Sequence, residues 1–271
     1  MPFLHAIVLG AVQGLTEFLP ISSSGHLHLT RWLFGWEELT TSSAVSFDVA
    51  VHVGTLVGAI GYLWHDVKRY TEAVFLWVIG RQRVRNEDSI TGIALAISTV
   101  PAAIVGLLLG DLIVRSIQPL TIALALIVFG VLLGWADRYA NKAVRVVEDL
   151  GFKSALLLGS AQVLALHPGV SRSGITITAA RLQGFKREEA VKIAFLMGIP
   201  VIAGAGFYKL IELDVSTLLW PAMIWGAATA AVTGWLAAWL TMRVASRMNF
   251  KPFVLYRIVV GLGILVGLVI N

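Results

Sequence analysis

Gln13 and Glu17 stand four residues apart within an apolar run, so they share a face of any helix formed there. A carboxylate in such a setting is costly and defaults to a functional or paired role; a side chain reaching up to a wet loop is the plainer alternative. Just beyond it, Ser22-Ser23-Ser24-Gly25-His26 sets three hydroxyls beside an imidazole. Those serines can cap a helix starting at that point. The exposed N–H groups and positive dipole end of that helix would attract an anion. His26 could carry a proton or simply be a hydrogen-bonded core histidine. A second polar island, Ser171-Arg172-Ser173 with Thr176, places a guanidinium among three hydroxyls. Arginine grips phosphate oxygens with a planar fork, although here it could do no more than pair with Glu17. Brought together, these groups suit phosphoryl transfer: an anion clamp, a nucleophile, a proton carrier and a metal ligand. Ser22, Ser24, Gly25, Ser171, Ser173 and Thr176 would contact the substrate. Asp48 and His52, again four apart, could extend the site.

The elements that must position these residues are membrane helices. The chain of 271 residues is 57% hydrophobic and only 14% charged, where a soluble chain carries about 25% charged residues. Its mean hydropathy is +0.81. Six stretches, 43–64, 90–109, 119–137, 188–208, 217–240 and 252–270, match the roughly 20 apolar residues that cross a bilayer. The 65–89 loop carries Lys68, Arg69, Arg81, Arg83 and Arg85, and 138–153 and 241–251 are also basic. The segment 110–118 offers only Arg115, and 209–216 sets Lys209 against Glu212 and Asp214. The lysine and arginine bias puts the first group in the cytoplasm and the second outside. The net charge of +5 therefore reports topology and not nucleic-acid binding. With no cysteine, disulfides and thiolate chemistry are excluded. Residues 1–20 lack a basic leader, so no cleavable signal is expected.

Two apolar stretches do not read as simple spans. Residues 3–19 end at Pro20 and the serine run, and only a short helix follows to Phe34. Residues 153–166 end at His167-Pro168-Gly169 and are followed by a short helix to about Gln183. A ten-residue helix is roughly 15 Å long, half a bilayer, so each pair is read as a re-entrant hairpin, 3–34 and 153–183. A shift of 149 residues lays Gln13, Ser22, Ser24, Gly25 and Gly35 on Gln162, Ser171, Ser173, Gly174 and Gly184. The spacing points to a duplication within one membrane domain: a first half, 1–137, and a second, 152–271. Three spans separate the hairpins, so the halves are expected to be inverted, as in many transporters. The expected fold is thus all-α and polytopic, with six transmembrane helices and two re-entrant helical hairpins in an inverted repeat.

At Gln13-Gly14-Leu15-Thr16-Glu17-Phe18-Leu19-Pro20, Ser22-Ser23-Ser24-Gly25-His26 and Pro168-Gly169-Val170-Ser171-Arg172-Ser173-Gly174-Ile175-Thr176, the chain resembles the BacA-type undecaprenyl-diphosphate phosphatases of bacteria. The resemblance runs the whole length, to Tyr256-Arg257 in the last span. It implies hydrolysis of undecaprenyl diphosphate to the monophosphate, recycling the lipid carrier of cell-wall synthesis and conferring bacitracin resistance. It also implies a divalent cation, Mg²⁺ or Ca²⁺, a place in the bacterial inner membrane and an active site facing the periplasm. Glu17, Ser23, His26 and Arg172 are the central residues it points to. Ser23 would be the nucleophile, with Glu17 or His26 moving its proton; a histidine nucleophile is the rival. Glu17, with Gln13, would hold the metal. The family's first motif starts with glutamate or glutamine, and the glutamine form here makes a weaker ligand of Gln13.

On architecture alone, a transporter or flippase would be favoured, for a polyprenyl phosphate or another anionic substrate. The local chemistry reverses that, because a carrier needs an anion clamp but not a serine, histidine and glutamate beside it. The expected partners are a polyprenyl diphosphate and membrane lipids, with no nucleic acid; a homodimer is compatible with the sequence.

Overall fold

A computed structural model describes residues 1–36, 41–81, 86–115, 118–212 and 220–270. Arg83, Arg85 and Asp214 of the charge pattern lie outside them, as do the side chains of Arg115 and Glu212. The described residues form helices and contain no β-strand. Helices α1 (Phe3–Phe18) and α2 (Ser23–Phe34) come first, then α3 (Thr41–Tyr62), α4 (Trp64–Val78), α5 (Glu87–Ile97), α6 (Val100–Arg115) and α7 (Pro119–Tyr139). After two short turns at 140–151 follow α8 (Phe152–Val163), α9 (Arg172–Leu182), α10 (Arg187–Glu212), α11 (Trp220–Arg247) and α12 (Lys251–Ile270).

Six candidate spans are found among the described residues: Ala44–Tyr62, Glu87–Gly110, Pro119–Tyr139, Arg187–Lys209, Trp220–Arg247 and Lys251–Ile270. The protein is a multi-pass membrane protein. Two details depart from the sequence reading. The second span is two helices, α5 and α6, because Pro101 has no N–H to give the Ile97 carbonyl. Ser98 and Thr99 hydroxyls instead bond Leu95 and Ala96 carbonyls at 2.6 and 2.7 Å at the break. The expected 65–89 loop largely folds as α4, which buries Tyr70 and Ala73. Its charges are spent locally: Arg69 reaches Asp88 and Glu148 at 2.6 and 3.0 Å, and Asp66 pairs with Lys192 at 2.8 Å.

Packing is swapped between the two halves. Helix α1 lies on α11, and α8 lies on α6; α3 also packs on α11, while α10 touches α5. Small residues allow these close approaches. A Cβ on Gly10 would stand 2.4 Å from the Gly226 carbonyl oxygen, and one on Gly159 would stand 2.3 Å from that of Ser98. Gly10 and Gly159 are 149 residues apart. The breaks between the short helices also match. Ser22 at φ 79° and Ser171 at φ 72° are the two non-glycine residues with positive φ among those described, and they too are 149 apart. Backbone held in that region is strained and tends to mark functional sites.

The largest buried apolar cluster, including Phe18, Leu133, Leu158, Phe185, Phe195 and Phe250, lies beneath the breaks. One polar knot sits at its edge. Asp137 accepts from Arg181 Nε at 3.1 Å, Arg187 Nε at 2.7 Å and the Phe250 N–H at 3.3 Å. The Arg181 guanidinium also donates to the Phe185 and Ala140 carbonyls at 2.7 and 2.5 Å. The far end of α9 is thereby fixed to α7, to α10 and, through Asp137, to the residue just before α12.

Candidate active site

Helix α1 stops where Pro20 forces Leu19 into an extended backbone, leaving Glu17 in its last turn facing the break. Helices α2 and α9 begin at the two breaks, so their amino ends meet where the loops touch. Contact is direct: the Gly169 N–H donates to Ser22 Oγ at 2.9 Å. Ser173 Oγ donates to the carbonyls of Glu17 and Leu19 at 3.3 and 3.2 Å.

Arg257 holds the two loops together. It is fully buried in α12, and donates to the carbonyls of Pro20 at 3.1 Å, Gly169 at 2.8 Å, Val170 at 2.9 Å and Leu126 at 3.1 Å. Loops from both halves are thus pinned by one guanidinium with carbonyl partners. Sequence reasoning gave Arg257 no role, although an arginine inside an apolar span is a signal of one.

Beside this junction is a cavity of about 420 Å³. Glu17, Ser23, Ser24, Asp48, His52 and Arg172 line its polar side; Val45, Val49, Val201 and Ile202 line the other. Glu17 is the hub. Its Oε2 accepts from Ser23 Oγ at 2.6 Å and from Gln13 Nε2 at 2.9 Å, and its Oε1 from Arg172 at 3.0 Å. Arg172 also donates to the Ala194 carbonyl at 2.8 Å, while its Nε is buried without a partner. Asp48 accepts from both terminal nitrogens, Nη1 and Nη2, of Arg31 in α2. His52 brings Nε2 to 4.0 Å from Glu17 Oε2.

Other expected residues fall elsewhere. His26 turns away from the cavity: its Nδ1 bonds the Ser22 carbonyl at 2.7 Å and its Nε2 the Tyr256 hydroxyl at 2.8 Å, with the rings stacked. A carbonyl only accepts, so Nδ1 carries the proton and Nε2 accepts from the tyrosine. Both ring nitrogens are thereby engaged. Thr176 bonds the Arg172 carbonyl at 2.7 Å, and Gly25 is buried; with Ser173 they build the loops and do not line the cavity. Ser22 and Ser171 do line it. Ser171 caps α9 through the Gly174 N–H at 3.1 Å. Ser22 makes no such cap on α2, whose first N–H groups therefore stay available to an anion.

No group of three or more His, Cys, Asp or Glu side chains that could hold a metal occurs among the described residues. Gln13 turns Nε2 toward Glu17 at 2.9 Å and leaves Oε1 buried without a partner, so a cation shared by the two residues would need that amide turned over. With it turned, the two oxygen donors would suit a hard divalent ion that keeps most of its water.

Comparison with known proteins agrees in family and extent. The profile of the family described as bacitracin resistance protein BacA matches residues 6–263. An undecaprenyl-diphosphatase of Desulforudis audaxviator is 42% identical over 266 residues, covering 98% of this chain and 97% of that protein. One from Alcanivorax borkumensis is 42% identical and covers 98% of both chains. One from Geobacter metallireducens is 42% identical over 97% of both.

Proposed function

Because the chain belongs to the BacA family, we infer that it is an undecaprenyl-diphosphatase, hydrolysing undecaprenyl diphosphate to undecaprenyl phosphate and phosphate. That reaction recycles the lipid carrier for cell-wall synthesis and confers bacitracin resistance. The observation that carries the reading is Glu17, which holds a hydroxyl nucleophile at 2.6 Å on one oxygen and a guanidinium at 3.0 Å on the other.

In our proposal Ser23 Oγ attacks the terminal phosphorus in line with the bridging oxygen. The Oγ–P bond forms, the P–O bridge breaks, and undecaprenyl phosphate leaves. Glu17 takes the serine proton, since it is the carboxylate already hydrogen-bonded to it. Arg172 and the uncapped amino end of α2 hold the phosphoryl oxygens as charge shifts between them. The valine and isoleucine wall suits the first isoprene units. A divalent ion, Mg²⁺ or Ca²⁺, would be held by Glu17 with Gln13, and when bound it would offset phosphate charge.

We further propose that the two short helix pairs dip into the bacterial inner membrane as inverted copies, and that the cavity opens to the periplasm. Support comes from the cavity lining, which reaches Val45 near the start of α3 and Lys209 near the end of α10, away from the basic loops. The matched strain at Ser22 and Ser171 supports the duplication.

The test is phosphate release from a C55 or C15 prenyl diphosphate by purified protein in detergent, where no gradient exists. Metal-dependent release that is lost in Arg172→Ala is expected. Tight substrate binding without release would instead favour a carrier.

A further inference from the structure

The catalytic cavity shares helix α10 with an apolar groove elsewhere in the molecule. The groove, of about 440 Å³, lies between α4, α5 and α10, and no charged side chain lines it. Val74 and Phe75 of α4, Leu95 and Ala96 of α5, and Leu196 and Ile199 of α10 form most of its lining. Small residues on α5 shape it. A Cβ on Gly92 would stand 2.7 Å from Val74 Cγ2, so glycine lets α4 come close. The methyl of Ala96, which is exposed, makes a shallow floor. Along α4 the groove is open, with Phe75 60% and Val78 66% exposed.

On α10 the two hollows adjoin. Ile199 lines the groove and Ile202 lines the cavity, and residues three apart on a helix share a face. Leu196 and Ile202 are separated by about 9 Å of helix. Ala96 and Ile199 both lie within candidate spans, Glu87–Gly110 and Arg187–Lys209, which sets this surface at bilayer depth.

We propose that the groove holds the distal part of the substrate's prenyl chain, which leaves the catalytic cavity over Ile202 and Ile199 and settles between α4, α5 and α10. The identity of that chain rests on the undecaprenyl-diphosphatase reading above. A cavity of about 420 Å³ suits a drug-sized molecule. A C55 chain with a diphosphate head exceeds that and must continue past the wall.

A phospholipid chain is the rival occupant. Moving from bilayer to groove gives neither chain a hydrophobic gain, because lipid tails are equally apolar. Selection comes from tethering. The prenyl chain is held at its head by Arg172 and the amino end of α2, and the groove begins beside the wall that takes its first units. A tethered chain therefore meets the groove at a high effective concentration, and a free lipid does not.

The experiment uses the full-length protein in detergent with C55 and C15 prenyl diphosphates that carry a diazirine on the terminal isoprene. After illumination, peptide mapping should place the C55 label within 67–78, 92–96 or 196–200, and the C15 label within 201–206. Excess unlabelled C55 diphosphate should suppress the groove label, and added phospholipid should not. A C55 label spread over the outer faces of α7, α11 and α12, or one suppressed equally by phospholipid, overturns the proposal. Filling the groove gives a second readout. Ala96→Phe should raise the KM for the C55 substrate about fivefold relative to that for farnesyl diphosphate, through lost packing. Leu108→Phe, at a site 75% exposed on α6, should leave that ratio as it is in the parent. An equal change for both substrates in Ala96→Phe, or no change, overturns the proposal. Labelling reads binding and not turnover, so a labelled groove in a protein that releases no phosphate would keep the chain site and discard the hydrolase reading.

Discussion

The two broken helix pairs share a backbone plan and differ in what holds them. The first, α1 and α2, carries Glu17, Ser23 and His26, and the amino end of α2 has no side-chain cap. The second, α8 and α9, is capped by Ser171 and fixed at its far end by the Asp137–Arg181–Arg187 knot. At the position matching Glu17 it has Leu166, and it contributes one cation, Arg172. One copy keeps the carboxylate and the serine beside an uncapped helix end; the other is an anchored clamp. The lesson is that a repeat can supply two matching helix ends while divergence supplies the acid–base chemistry.

The comparison can be broken from either side. The largest effects should come at the hub joining the copies. Glu17→Gln and Arg172→Ala should each lower turnover by about 10³-fold. Arg172→Lys should recover little, because a lysine cannot reproduce the fork; steady-state phosphate release measures all three. Next is the anchor of the second copy. Asp137→Asn leaves the buried Arg181 without its counter-charge, so thermal unfolding in detergent should report a loss of about 3 kcal/mol. The equal helix approaches come third. Gly10→Ala and Gly159→Ala should each cost about 2 kcal/mol, by overpacking a backbone contact. Similar costs would sharpen the likeness of the halves; a large disparity would weaken it. The smallest effect should be at His26. Replacing it with glutamine, or Tyr256 with phenylalanine, should slow turnover by less than about tenfold if the imidazole only shapes the loop, since removing a general acid or base typically costs more.

Much of this was legible before any coordinates. The spans were, because long apolar runs have few alternatives: 119–137 became Pro119–Tyr139 and 252–270 became Lys251–Ile270. The break inside the second span was signalled by Pro101 and passed over. Helix α4 was hidden because its charged residues read as loop, when in fact they pair with Asp88, Glu148 and Lys192. Within the site, Glu17, Ser23 and Arg172 stood out as polar residues in or beside apolar runs. Asp48 and His52 were seen as an extension, without their orientation. The partner of His26 lies 230 residues away, and local spacing cannot reveal such a contact. Arg257 and Asp137 were also set by distant partners, although each lone charge in an apolar span was itself a sign.

The central claim is that the chemistry sits on the first copy, with Ser23 as nucleophile and the second copy as clamp. The most direct measurement is a rapid acid quench of the protein turning over a prenyl diphosphate, followed by mass-spectrometric location of the phosphoryl group. Phosphoserine at Ser23, absent in Ser23→Ala, is the expected result. Phosphohistidine at His26, persisting in Ser23→Ala, would contradict the account.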